Sequence, residues 1–123
     1  MHPTPLAHIR PWTSAALLTG AALLIGAAPA SAARPRYALS LGPAGFAPTE
    51  LHVPAGERVV LRVTNTGPAP VEFESSDLNR ERVIPAGGAI AVYVGPLHPG
   101  TYAFFDDFHP RLRGTLIADR AAR

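Results

Sequence analysis

Downstream of residue 33 the apolar positions recur every second residue, and no window shows the 3.6-residue spacing of an amphipathic helix. The clearest run is Val59–Asn65, with Val59, Leu61 and Val63 on one face and Arg62 and Thr64 on the other. Val71–Ser75 alternates in the same way, Val71 and Phe73 opposing Glu72 and Glu74, and Ala89–Val94 places Ile90, Val92 and Val94 together. Residues 37–41, 51–53, 101–106 and 114–118 complete the strand-like set. Between them lie turn signals: Gly42-Pro43-Ala44-Gly45, Pro54-Ala55-Gly56-Glu57, Pro85-Ala86-Gly87-Gly88 and the Gly/Pro-rich stretches 66–70 and 95–100. The polar stretch 77–82 reads as a loop or a single helical turn, and 107–113 reads as a loop. Seven to eight short strands in about 85 residues predict an all-β antiparallel sandwich or barrel.

The first 33 residues follow another rule. Residues 1–10 carry one Arg, two His and no acid, and residues 14–28 (SAALLTGAALLIGAA) are uncharged and mostly apolar. Ala28-Pro29-Ala30 and Ala30-Ser31-Ala32 then offer small-residue cleavage sites, which completes the three-part layout of a secretory signal. The apolar run is about 15 residues, shorter than the ~20 of a spanning helix. An uncleaved N-terminal anchor is the other reading, and the only membrane attachment expected. The chain is therefore expected to comprise a signal (1–33) and one exported domain (34–123), periplasmic or held at the cell envelope.

Composition narrows the chemistry. The chain has 11 Gly, 14 Pro and no Cys, so disulfides, zinc fingers, iron–sulfur clusters and thiolate copper sites are excluded. Every one of the 11 basic residues is Arg, against 9 acids, and a net charge of +2 gives no argument for nucleic acid. Gly87-Gly88 has no following helix, and Ser75-Ser76-Asp77 has no partner His at a meaningful spacing, so no nucleotide loop or hydrolase motif is present. A domain of this size buries only about 60–65% of its chain surface. Without disulfides it depends on a compact core or a bound ion.

The segment 100–116 carries the chemistry. Strand parity turns Tyr102 and Phe104 inward, and Asp106 shares that parity. A buried carboxylate must be met by hydrogen bonds or by a cation. His109 follows three residues later, and carboxylate plus imidazole suits iron, zinc, manganese or copper(II). For Asp106 and Asp107 the plainer account is a turn cap; for His109 it is a solvated loop side chain. His52 and His98 are given no role.

From Phe46 to Ala118 the chain resembles the cupredoxin family, through Phe46-Ala47-Pro48, Val53-Pro54-Ala55-Gly56, Val63-Thr64-Asn65-Thr66-Gly67, Glu72-Phe73-Glu74, Pro85-Ala86-Gly87, and Pro99-Gly100-Thr101-Tyr102-Ala103-Phe104 leading to Gly114-Thr115-Leu116. The resemblance implies a Greek-key β-sandwich with a metal at one end. It sets Asp106 at the thiolate position, His109 at the second His, Leu112 near the Met and Val71 at the first His. Blue-copper electron transfer is thereby rejected while the fold is kept. Within the family the chain is similar to small exported cupredoxin-domain proteins linked to bacterial ferrous-iron uptake. That implies a metal-binding role in iron (or copper) handling, an iron permease or another periplasmic uptake component as partner, and oxidation of iron(II) as the one enzymatic option.

The expected ligand set is His109, Asp106 and Asp107, aided by Glu72, Glu74 and Glu81. All six are expected to meet at one pole of the sandwich. Glu72 and Glu74 face outward by parity, where solvation is the plainer account. Glu81 is placed in the polar loop, where it would otherwise pair with Arg80 or Arg82. Arg111 and Arg113 either stay solvated, hold Asp107 or dock on an acidic partner. Phe105 and Phe108 have no inward parity and would cover the site or mark a partner surface. The competing reading is a metal-free interaction module that docks on a membrane permease or another exported protein.

Overall fold

The computed structural model describes residues 33–121 and the isolated positions Met1, Pro3 and Gly26. Apart from those positions, the predicted secretory signal lies outside the described residues. Nine strands follow in order: β1 (Arg36–Gly42), β2 (Gly45–Ala47), β3 (Glu50–Pro54), β4 (Val59–Asn65), β5 (Val71–Ser75), β6 (Arg80–Ile84), β7 (Ala89–Val94), β8 (Gly100–Asp106) and β9 (His109–Asp119). They form two sheets, β2-β1-β4-β7 and β3-β9-β8-β5-β6. β1 pairs with β4, and β3 with β9, in parallel; the other neighbours are antiparallel. Neighbours distant in sequence require the chain to cross repeatedly between sheets, as in a Greek-key β-sandwich. No helix occurs among the described residues.

The parallel β1–β4 and β3–β9 pairs depart from the antiparallel sandwich that the turns predicted, and two segments differ as well. Residues 80–84 are a strand, so Glu81 sits on β6 and not in a loop. β6 is an edge strand paired only with β5, and an edge tolerates the charged run Arg80-Glu81-Arg82 that would hide a central strand's alternation. Residues 107–113 are not a loop either. Asp106 pairs with His109 across a two-residue turn, Asp107-Phe108, and β9 runs from there. Pro110 is accommodated because β3 reaches only residues 115–119 of β9, leaving the earlier half of that edge unpaired by β3.

The core lies between the inward faces. Leu39, Leu41, Leu61 and Val63 from the first sheet meet Phe73, Phe104, Ile84 and Leu116 from the second, all essentially sealed from solvent. Phe104 is the hub of an aromatic group, its ring centroid 4.8 Å from Phe46 and 5.5 Å from Phe73. Gly114 faces Phe104 in the β8–β9 register, and a Cβ there would strike the Phe104 ring. That absent side chain seats the hub.

Candidate metal centre

Period-two geometry puts Glu72 and Glu74 of β5 on the outer face of the second sheet. The β5–β6 register sets Glu81 opposite Glu74 and Val83 opposite Glu72. Asp107, at the tip of the β8–β9 hairpin, is tied to β5 by its own amide, which donates to the Glu72 carbonyl at 3.0 Å. Carboxylate oxygens of Glu72, Glu74 and Asp107 lie within 4.8 Å of one another, with Glu72 buried, Glu74 half-buried and Asp107 exposed. Glu81 adjoins them. Among the described residues every ion pair involves His52 or His109, so no arginine neutralises the four acids.

The crowding shows in the acidities. The Glu72 carboxyl is pushed up to about 6, first by a hydrogen bond shared with Glu81, then by burial and by repulsion from Glu81, Asp107 and Glu74. Glu74 is raised as well, first by burial, then by the charges of Asp107 and Glu81. A carboxyl–carboxyl hydrogen bond needs one partner protonated. A hard cation could take the place of that proton, since oxygen donors suit such ions.

Asp106 and His109 form a second group, outside the 4.8 Å cluster. Asp106 is 0% exposed. Its Oδ1 accepts from the amides of Glu72 (2.9 Å) and Phe108 (3.1 Å), and its Oδ2 lies 2.8 Å from His109 Nδ1. The inward parity of Asp106 therefore ends in a staple joining β5, β8 and the hairpin turn. His109 is half exposed, and its Nδ1 contact with a carboxylate favours the tautomer that leaves Nε2 with a free lone pair. The six expected ligands thus form two groups rather than one cage.

At the pole of the sandwich, Val71, Asp106, His109 and Leu112 all line one cavity of about 240 Å³ with Pro43 and Asn65. These are the four positions that the resemblance set at a cupredoxin copper centre, and one cavity gathers them. The residues do not fit such a centre. Val71 and Leu112 offer no donor, Asp106 is committed to two amides and an imidazole, and the chain has no Cys. Only His109 remains available there.

Other expectations find a place. Arg113 donates to the Pro110 carbonyl at 3.0 Å and lies 5.4 Å over the Phe105 ring, and it makes no ion pair with Asp107. Arg80 donates to the carbonyls of Leu78, Asn79 and Tyr93, so the Glu81 ion pair does not form through it. Phe108 is half exposed. Two residues escaped the sequence reading. Asn65, wholly buried, donates to Ala69 and Ile84 carbonyls and accepts from the Gly67 amide; the Asn-Thr-Gly turn was its only signal. His52 is held between Asp119 and Glu50, each at 2.9 Å, a pairing that depends on the β3–β9 register and leaves no trace in local pattern.

Fold and site together define a cysteine-free β-sandwich with a carboxylate cluster on one sheet. The model of the cupredoxin-like domain family matches residues 15–118, and the chain belongs to that family. An uncharacterized protein of Rickettsia prowazekii (strain Madrid E) is 38% identical over 64 residues, 52% of this chain and 51% of that one. The chain thus spans about half the length of the curated relative it matches. Among solved structures, a purple cupredoxin from Nitrosopumilus maritimus superposes with a TM-score of 0.54 at 18% identity, covering 67% of this chain and 98% of that one. Amicyanin from Paracoccus versutus gives 0.56 at 18% identity over 73% and 87%. The metal-binding domain of the Streptococcus pneumoniae D39 Cu(I)-exporting P-type ATPase, solved with Cu(I), gives 0.59 at 12% identity over 68% and 84%. At these identities the likeness is one of fold.

Proposed function

We propose that this is an exported metal-binding cupredoxin-like protein that handles iron in the periplasm, alongside an iron permease or a related uptake component. Membership of a family whose solved neighbours include a Cu(I)-bound domain supports metal binding. The observation that carries the choice of ion is the convergence of Glu72, Glu74 and Asp107 within 4.8 Å, with Glu81 opposite Glu74 in the β5–β6 register. An all-oxygen set favours hard ions and stabilises iron(III) over iron(II). Glu72, Glu74 and Asp107 would hold the ion, Glu81 would release its hydrogen bond as Glu72 ionises, and exposed Asp107 leaves the ion open to exchange. Copper is the less suited ion, because the pole that would take it lacks its donors.

Thermal unfolding of the full chain tests this. Iron, manganese, zinc and copper ions are titrated at neutral pH. The expected result is stabilisation growing as RT ln(1 + [L]/Kd), largest for iron(III), abolished in Glu72→Gln/Glu74→Gln and kept in His109→Ala. Loss in His109→Ala alone would move the site to the pole. Indifference to every ion up to millimolar concentration would leave the metal-free interaction module as the reading.

A further inference from the structure

The acids of the two sheets are segregated, while arginines occur on both. β1, β2, β4 and β7 contain no Asp or Glu, whereas the second sheet carries Glu50, Glu72, Glu74, Glu81, Asp106 and Asp119. On the outer face of the first sheet, the register Arg36↔Val60 and Ala38↔Arg62 makes Arg36 and Arg62 diagonal neighbours. Arg34, just ahead of β1, places its guanidinium carbon 5.2 Å over the ring of Tyr93 on β7. These four side chains wall a shallow cavity of about 380 Å³ floored by Val60 and Ala91. Elsewhere Arg80 and Arg113 donate to backbone carbonyls. Among the described residues Arg34, Arg36 and Arg62 meet no carboxylate and no carbonyl acceptor.

Three like charges held on one face repel one another unless an anion joins them. Guanidinium forks match phosphate oxygens in a bidentate manner, and a half-exposed tyrosine ring suits the boundary between headgroups and acyl chains. Charge complementarity points to the occupant: guanidiniums gathered on a face without acids match a surface dense in phosphates. Ala33 and Arg34 border this cavity, and in a chain that keeps its N-terminal segment as an anchor the uncharged apolar run 14–28 lies a few residues before them. We propose that the outer face of the first sheet lies against the phosphate headgroups of an anionic membrane. The carboxylate cluster, on the outer face of the other sheet, then points away from the lipid.

The absence of cysteine allows single labelling of the full chain. Ala38→Cys reports on the arginine face and Thr101→Cys on the outer face of the second sheet, each carrying a water-sensitive fluorophore. On vesicles of phosphatidylglycerol and phosphatidylcholine, the Ala38 label should become several-fold less accessible to acrylamide than on pure phosphatidylcholine, while the Thr101 label stays open. High salt should reverse the shielding, and Arg36→Gln/Arg62→Gln should remove it. The N-terminal segment, which carries Arg10, is common to the wild-type and doubly substituted chains, so it cannot produce the difference between them. Equal shielding on neutral vesicles, or shielding that survives the double substitution, overturns the proposal. Shielding produced by inorganic phosphate without vesicles overturns it in favour of a soluble oxyanion ligand.

Discussion

Asp106 shows how a single side chain changes meaning between sequence and structure. Parity points it inward, and a buried carboxylate needs either a cation or donors. The structure supplies donors: the amides of Glu72 and Phe108 and the His109 ring. What parity could not convey is that these three groups reach it, because they depend on the β5–β8 pairing and on a two-residue turn. Asp106→Ala should therefore act on stability rather than on metal uptake. It strands one buried and one part-buried amide, at a cost of roughly 2–3 kcal/mol in urea unfolding. His109→Ala, at a half-exposed position, should cost no more than about 1 kcal/mol. Equal losses in the two variants would mean that the imidazole, and not the amides, is what Asp106 serves.

Among the elements, β8 and β9 carry both the core hub and the hairpin that positions Asp107. Gly114 makes their packing possible, since the Phe104 ring occupies the space where a Cβ would stand. Gly114→Ala should displace that ring from Phe46 and Phe73 and destabilise the domain by about 1–3 kcal/mol. Near-ultraviolet circular dichroism should change with it, and an unchanged spectrum with full stability would mean the hub is loosely seated. The strands that were legible beforehand are those with one apolar face, such as Val59–Asn65 and Val71–Ser75. β6 was not legible, because an edge strand may expose Arg82, Glu81 and Val83 without penalty. Nor was the start of β9, where Pro110 and two arginines break the alternation and only the backbone ladder declares a strand. The acidic cluster falls between these cases. Its residues were identifiable by type, but Glu81 joins Glu74 only through the register of the missed strand.

For the whole molecule, these local charges combine into one pH response with a definite sign. Glu72 and Glu74 have raised folded-state acidities, Glu72 moving from 4.5 to about 6. Between those values the folded chain binds more protons than the unfolded one, so stability falls as pH rises from 4.5 to about 6. His52 is also raised from 6.5, first by the hydrogen bond to Asp119 and then by that to Glu50. Its contribution is complete below 6.5 and is lost as pH climbs through the folded-state value. The metal-free protein should thus lose stability in two separate steps. A cation at the cluster opposes the first step, because it favours the ionised carboxylates, and protons compete with it below about 6. Its stabilising effect should therefore be small near pH 4.5 and full at neutrality. Denaturant midpoints across this range, with and without iron, would display both steps. Glu72→Gln should flatten the lower one and His52→Gln the upper. If metal-free stability instead rises between pH 4.5 and about 6, the carboxylates do not repel one another, and the strain that an ion would relieve is absent.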